Sequence, residues 1–185
     1  MCESLDHSAR GLSRRNFAAL AVAGGAVSLL GLGARAAESK AEPKPLAALA
    51  ITCIDYRYIS HEVNWLDTKV GLKQYDLTAL AGASLASVSQ MFPASVDALW
   101  NHINIARTLH AVKKVMVFDH HDCGAFKQEF GPNYAGEGTA ELNQHVGVMK
   151  RMKAEFIGRG WSDLGVGLEF YFFSSENNPP TALNI

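Results

Sequence analysis

Two short segments contain the side chains best suited to chemistry. The first reads Cys53-Ile54-Asp55-Tyr56-Arg57, and the second reads His120-His121-Asp122-Cys123. Zinc favours thiolate and imidazole ligands in tetrahedral geometry, and catalytic zinc sites keep three protein ligands and one position for water. Cys53, His120 and Cys123 form such a set, because His-x-x-Cys on a tight loop lets two ligands hold one ion. The residue types therefore predict a zinc site with these three ligands.

Asp55 and Arg57 are the candidate partners of a water molecule on that metal. Asp55 can accept a hydrogen bond from water or hydroxide, and Arg57 can pair with Asp55, which keeps the carboxylate ionised and fixed in direction. If the segment is extended, Cys53, Asp55 and Arg57 lie on one side, and Ile54 and Tyr56 lie on the other. Because two thiolates cancel the charge of zinc, we expect the water to be acidified less than in an all-histidine site.

The elements that position these residues alternate between strands and helices. Short apolar runs predict strands at 46–53, 76–81, 115–118 and 166–173, and apolar residues at helical spacing predict helices over 95–112 and 139–156. This alternation favours an α/β fold, a parallel-core β-sheet flanked by helices, in which ligands bind outside the carboxyl ends of the strands. Cys53 ends the first strand and His120 follows the third, so we expect both segments at one edge.

Cys-x-Asp-x-Arg followed by His-x-x-Cys-Gly resembles the two signature motifs of the β-class carbonic anhydrases. The likeness continues at Ala81-Gly82 and in the late apolar strand 166–173. The resemblance implies a β-carbonic-anhydrase-like fold over nearly the whole domain, with zinc held by two cysteines and one histidine. The fourth ligand is implied to be water or, in a closed form, Asp55.

For function, the resemblance implies hydration of carbon dioxide to bicarbonate by a metal-bound hydroxide, with Asp55 and Arg57 as the pair that orients the hydroxide. It also implies a homodimer or a higher homo-oligomer, with the site near the subunit interface.

Two other functions stay open at this point. Ala79 and Leu80 stand where the family usually has Arg-Asn, and Tyr56 stands where a small residue is usual. The larger and more apolar surroundings that Tyr56 and Leu80 provide favour, as one alternative, a related zinc hydrolase of carbonyl sulfide or carbon disulfide. In the other alternative, Asp55 closes the zinc site and the metal only stabilises a non-catalytic periplasmic binding domain.

Composition narrows the remaining choices. The net charge is −1 and the chain has no basic stripe, so we expect no nucleic-acid partner. Of the three cysteines, Cys2 lies in a segment predicted to be removed, and Cys53 and Cys123 can form a disulfide instead of binding metal. Asp55 and Arg57 can likewise be a purely structural ion pair.

The N-terminus has the pattern of an export signal. Ser13-Arg14-Arg15-Asn16-Phe17 resembles the bacterial twin-arginine motif, and the apolar run 18–33 after it is shorter than the ~20 residues of a membrane-spanning helix. Ala34-Arg35-Ala36 places small residues where a signal peptidase reads them. We therefore expect a signal peptide over 1–36, a linker over 37–45 and the zinc domain over 46–185. The mature protein is expected in the periplasm, without a membrane anchor.

Overall fold

The computed structural model of the protein describes residues 45–185. The predicted signal peptide (1–36) and nearly all of the predicted linker (37–45) lie outside the described residues. Export and these domain bounds therefore stay predictions. Within residues 45–185, no helix combines the length and the apolar character that crossing a membrane would require.

A five-stranded sheet forms the centre of the fold. In chain order its strands are β1 (Ala48–Thr52), β2 (Tyr75–Ala79), β3 (Lys114–His120), β4 (Gly167–Phe173) and β5 (Thr181–Leu183). The spatial order is β2-β1-β3-β4-β5, with β1 to β4 parallel to one another and β5 antiparallel to β4. This confirms the predicted α/β class with a parallel-core sheet.

In the described part of the chain, four α-helices flank the sheet: α1 (Tyr56–Leu66), α2 (Pro93–His110), α3 (Gly124–Phe130) and α4 (Gly138–Gly158). A π-helical turn follows α1 at Asp67–Gly71, and 3₁₀ turns lie at Ala83–Ser87 and Gly131–Asn133. The sequence pattern predicts α2, α4 and the first four strands, but it does not predict α1, α3 or β5. The two missed helices lie directly beside the candidate site.

The central strands β1 and β3 are buried on both faces, as expected for the interior of a parallel sheet. On one face, Leu49, Ile51, Val115 and Val117 of these strands are part of a large apolar cluster. The other face packs against Tyr58 and Leu66 of α1. Because Ile51 pairs with Val117, the residues after β1 lie beside the end of β3. The register thus brings the two candidate segments to one edge.

Two boundaries differ from the prediction, and both concern this edge. Strand β3 continues through His120 instead of ending at Phe118, so His120 is its last residue. Helix α1 begins at Tyr56, so Arg57 lies on a helix and the predicted extended alternation is wrong beyond Asp55. The physical reason is a helix cap: the Asp55 side chain accepts a hydrogen bond from the main-chain N–H of Arg57 at 3.0 Å.

Candidate metal centre

Cys53, His120 and Cys123 lie together at the carboxyl edge of the sheet. The Sγ atoms of the two cysteines and one ring nitrogen of the histidine all lie within 4.8 Å of one another, and all three residues are buried. Cys53 directly follows β1, His120 ends β3, and Cys123 directly precedes α3. Three elements therefore place the three donor atoms around a common point.

The hydrogen bonding of His120 leaves one ring nitrogen for a ligand. Nδ1 lies 2.8 Å from the main-chain oxygen of His121, and a carbonyl oxygen can only accept, so Nδ1 carries the proton and donates it. In the neutral imidazole, which is the form that binds metal, Nε2 is then the atom with the free lone pair. It is buried and has no hydrogen-bond partner in the part of the chain that the structure describes. A buried acceptor of this kind fits a metal ligand, since the opposite nitrogen of metal-binding histidines is usually held by such a bond.

Both cysteines are free and buried, so the alternative disulfide is not formed. The Cys123 thiol stabilises the Cys53 thiolate by hydrogen bonding, which lowers the pKa of Cys53 and raises that of Cys123. The main-chain N–H of Gly82 also donates to Cys53 Sγ, at 3.3 Å. The site therefore favours a thiolate at Cys53, and the thiolate is the form of cysteine that binds metal.

Asp55 and Arg57 form a two-pronged ion pair beside the donor atoms. Arg57 Nε lies 3.0 Å from Asp55 Oδ1, and Nη2 lies 2.7 Å from Oδ2. These hydrogen bonds lower the pKa of Asp55 to about 2. The Oδ2 atom of Asp55 is 3.9 Å from Nε2 of His120, so an ionised carboxylate stands next to the donor set.

The residues on either side of Asp55 are largely exposed. Ile54 is 61% exposed and Tyr56 is 85% exposed, while Leu80 packs against the core. Tyr56 is therefore not buried against the donor cluster, and the reasoning from Tyr56 and Leu80 for a carbonyl sulfide or carbon disulfide hydrolase stays a prediction.

A second set of contacts, centred on Asp122, is not predicted from the sequence. Arg57 donates to the carboxylate of Asp122 as well as to Asp55, and Lys127 also contacts that carboxylate. The main-chain N–H of Asp122 donates to Glu141 of α4, which also accepts from the Tyr134 hydroxyl. The position of Asp122 inside the His-x-x-Cys motif was the one available sequence signal, because Glu141 is separated from the motif by a loop and another helix.

A third set of contacts, also missed, supports the end of β3 from the other face of the sheet. Asp119 Oδ1 accepts from the main-chain N–H of Ser84 at 2.9 Å, and Oδ2 accepts from the Ser84 hydroxyl at 2.6 Å. His145 Nδ1 of α4 lies 2.8 Å from the same Oδ2, and all three side chains are buried. These bonds tie the strand end that carries His120 to the turn after β2 and to α4.

Comparison with known proteins agrees with this architecture. A family model described as "Putative carbonic anhydrase" matches residues 44–156, more than half of the chain. The chain belongs to this carbonic anhydrase family. Two proteins described as uncharacterized, from Rickettsia bellii and Rickettsia conorii, are 29% identical to it over 108 residues, or 58% of this chain. The match covers 65% and 58% of those relatives, so the chain spans less than two thirds of either.

A solved structure of a carbonic anhydrase has a similar fold. The enzyme from Streptococcus mutans superposes with a TM-score of 0.51 at 13% identity, covering 76% of this chain and 84% of that chain. At this identity the likeness concerns the fold alone. The predicted β-carbonic-anhydrase-like fold is confirmed. In the present chain, a possible metal site lies at the expected edge of the sheet. The roles of Cys53, His120, Cys123, Asp55 and Arg57 stay predictions.

Proposed function

We propose that the protein is a zinc enzyme that hydrates carbon dioxide to bicarbonate. The observation that carries the proposal is the cluster of three buried donor atoms within 4.8 Å, in which Nε2 of His120 has no hydrogen-bond partner among the described residues. Two thiolates and an imidazole are a ligand set that zinc accepts, with a fourth position for water. The chemistry that zinc supplies in such a site is Lewis acidity, which lowers the pKa of a water molecule.

Asp55 is the residue of this chain that would orient the attacking oxygen. With a pKa of about 2, its carboxylate is ionised at all working pH values and only accepts hydrogen bonds. It would accept a hydrogen bond from a water or hydroxide, and this bond would direct the oxygen lone pair toward carbon dioxide. Arg57 holds both carboxylate oxygens, so Asp55 keeps this direction while the substrate changes.

Stopped-flow measurement of carbon dioxide hydration by the zinc-loaded protein tests the proposal. We choose alkaline pH, because two thiolate ligands weaken the acidifying effect of zinc. The wild type is expected to accelerate hydration above the buffer rate. D55N keeps the metal ligands and removes the charge, so it should retain zinc and lose roughly 100-fold or more in rate.

Neighbouring histidines provide a matched pair for the ligand assignment. H120N is expected to lose both zinc and activity, whereas H121N changes a side chain outside the donor cluster and is expected to retain zinc. Equal zinc content in H120N and wild type would contradict the ligand set.

Two results would favour the alternative functions. A zinc-loaded wild type that leaves carbon dioxide hydration at the buffer rate but hydrolyses carbonyl sulfide or carbon disulfide would replace the proposed substrate. A zinc-loaded wild type that is inactive on carbon dioxide, carbonyl sulfide and carbon disulfide would favour the non-catalytic binding domain. The periplasmic location and the homo-oligomer stay predictions from the sequence.

A further inference from the structure

Arg57 binds two carboxylates instead of one. Besides its two bonds to Asp55, it donates from Nη1 to Asp122 Oδ2 at 3.0 Å and from Nη2 to the Asp122 main-chain oxygen at 3.1 Å. Asp55 lies two residues after Cys53, and Asp122 lies next to Cys123. The guanidinium therefore connects the segment that carries one cysteine to the loop that carries the other. A planar fork of donors allows this, and a lysine could not reproduce it.

Asp122 is well anchored for a residue whose side chain is 41% exposed. Its backbone has a φ of 57°, in the left-handed region that aspartate and asparagine tolerate. The main-chain N–H of Asp122 donates to Glu141, which is only 2% exposed. The second carboxylate oxygen of Asp122 contacts Lys127. The far end of the Arg57 fork is thus held by α4 and by α3.

We infer that Arg57, Asp122 and Lys127 form a clamp that holds the two ligand segments in register, which makes Asp122 a positioning residue for the metal. The inference rests on the metal site of the proposed function. Arg57 makes two hydrogen bonds to Asp122, one to the carboxylate and one to the main-chain oxygen. Without the carboxylate, only the bond to the main-chain oxygen remains. The three donor atoms then lose part of their preorganisation, and metal affinity should fall.

D122N tests the clamp by zinc affinity, measured at one fixed pH by competition with a chromophoric chelator. Asparagine keeps the shape of the side chain and tolerates the left-handed backbone, so the variant adds no strain. Its amide has one acceptor oxygen in place of two and carries no charge, so it cannot accept from both Arg57 and Lys127. Loss of residues that support metal ligands from outside typically costs 10–100-fold in metal affinity. We expect D122N to weaken zinc binding by roughly tenfold or more.

D76N is the matched control. Asp76 also makes a short side-chain contact, with Oδ2 lying 2.7 Å from Nδ1 of His110, but it lies near the amino end of β2, at the opposite edge of the sheet from the ligands. Zinc affinity of D76N should equal that of the wild type. Far-UV circular dichroism of each metal-free variant checks that the fold is retained.

A double-mutant cycle separates a clamp from a general loss of stability. R57K keeps the charge but cannot bridge both carboxylates. If Asp122 acts through Arg57, the double variant R57K/D122N should bind zinc no more weakly than the weaker of the two single variants.

Three outcomes would overturn the clamp: D122N with wild-type zinc affinity, D76N weakened as much as D122N, or single effects that simply add. Failure of the zinc-loaded wild type to hydrate carbon dioxide would contradict the proposed function and leave the clamp intact, provided D122N weakens zinc binding. A wild type that takes up no zinc would overturn both.

Discussion

At the scale of single residues, Gly82 combines a backbone requirement with a contact to the candidate ligand Cys53. Its φ is 79°, and a Cβ atom built on it would lie 2.9 Å from Leu85 Cβ and 3.1 Å from Ala125 Cβ. The same residue donates its N–H to Cys53 Sγ. A side chain at position 82 would therefore strain the turn and shift the amide that supports the thiolate.

We expect G82A to destabilise the protein by about 1–3 kcal/mol. Zinc affinity should fall with it, because the amide can no longer reach Cys53 at the same distance. G124A is the matched glycine control: it lies beside Cys123, but its φ is ordinary and a Cβ there would meet no atom within 4 Å. Thermal denaturation and chelator competition of both variants measure the two effects. A G82A protein as stable as G124A would show that the turn adapts.

The sequence identifies the five candidate site residues because each motif is short and its spacing is local. It misses Asp122 as the second partner of Arg57, because that contact depends on how two distant segments approach each other. It misses Glu141 for the same reason, since α4 reaches the metal loop only after the chain has folded. Residue types and spacing thus indicate candidate donors, whereas the residues that hold those donors in place follow from the tertiary structure.

At the scale of elements, α1 is the clearest failure of sequence periodicity. Its buried face consists of Tyr58, Glu62 and Leu66, at the spacing of a helix. The acidic residue Glu62 interrupts the apolar repeat of this face, so the apolar pattern alone does not predict a helix here. The helix nevertheless begins where it does because Asp55 caps it, and this cap also fixes the direction of the Asp55 side chain.

Glu62 is an unusual residue for a buried helix face. It is 0% exposed, and neither carboxylate oxygen has a hydrogen-bond partner within residues 45–185. Burial raises its pKa from an ordinary value near 4.5 to about 8. In the unfolded chain the group is ionised above pH 4.5, whereas in the folded protein it stays protonated up to about pH 8. The folded state therefore binds more protons in this window, and its stability falls as the pH rises through it.

E62Q removes this titration and keeps the size of the side chain. We expect its free energy of unfolding to match the wild type near pH 5 and to exceed it by roughly 1–3 kcal/mol at pH 8. Urea unfolding of the metal-free proteins at both pH values measures the difference. The control is E169Q, since Glu169 is partly exposed and lies 2.8 Å from Lys114, so it should show no gain at pH 8. An E62Q curve parallel to the wild type across the window would contradict the expectation.

At the scale of the whole molecule, strand order decides whether the two motifs meet. Alternating strands and helices predict a parallel sheet, but they do not say which strands are neighbours. The observed order places β1 and β3 side by side at the centre, and this adjacency brings Cys53 next to His120. Strand β5 could not be predicted, because a three-residue edge strand carries no periodic signal.

The exposed residues beside the site bear on the predicted homo-oligomer. Ile54 and Tyr56 flank Asp55 and are 61% and 85% exposed, on the edge of the sheet where the ligands lie. The family resemblance implies a subunit interface near the site. Burial of these two side chains against a second copy of the chain would remove apolar surface from water next to the metal centre.

We therefore expect the purified protein to be a homodimer or a larger homo-oligomer by size-exclusion chromatography with light scattering. The double variant I54E/Y56E places two charges in the predicted interface, and desolvating unpaired charges is costly, so its mass should fall to that of a monomer. L164E is the control, because Leu164 is 52% exposed but lies before β4, at the edge of the sheet opposite the site. Zinc content distinguishes lost assembly from a damaged site: I54E/Y56E should keep its metal, since neither side chain belongs to the donor cluster. A monomeric wild type would contradict the predicted oligomer, and an unchanged mass of I54E/Y56E would place the interface elsewhere on the molecule.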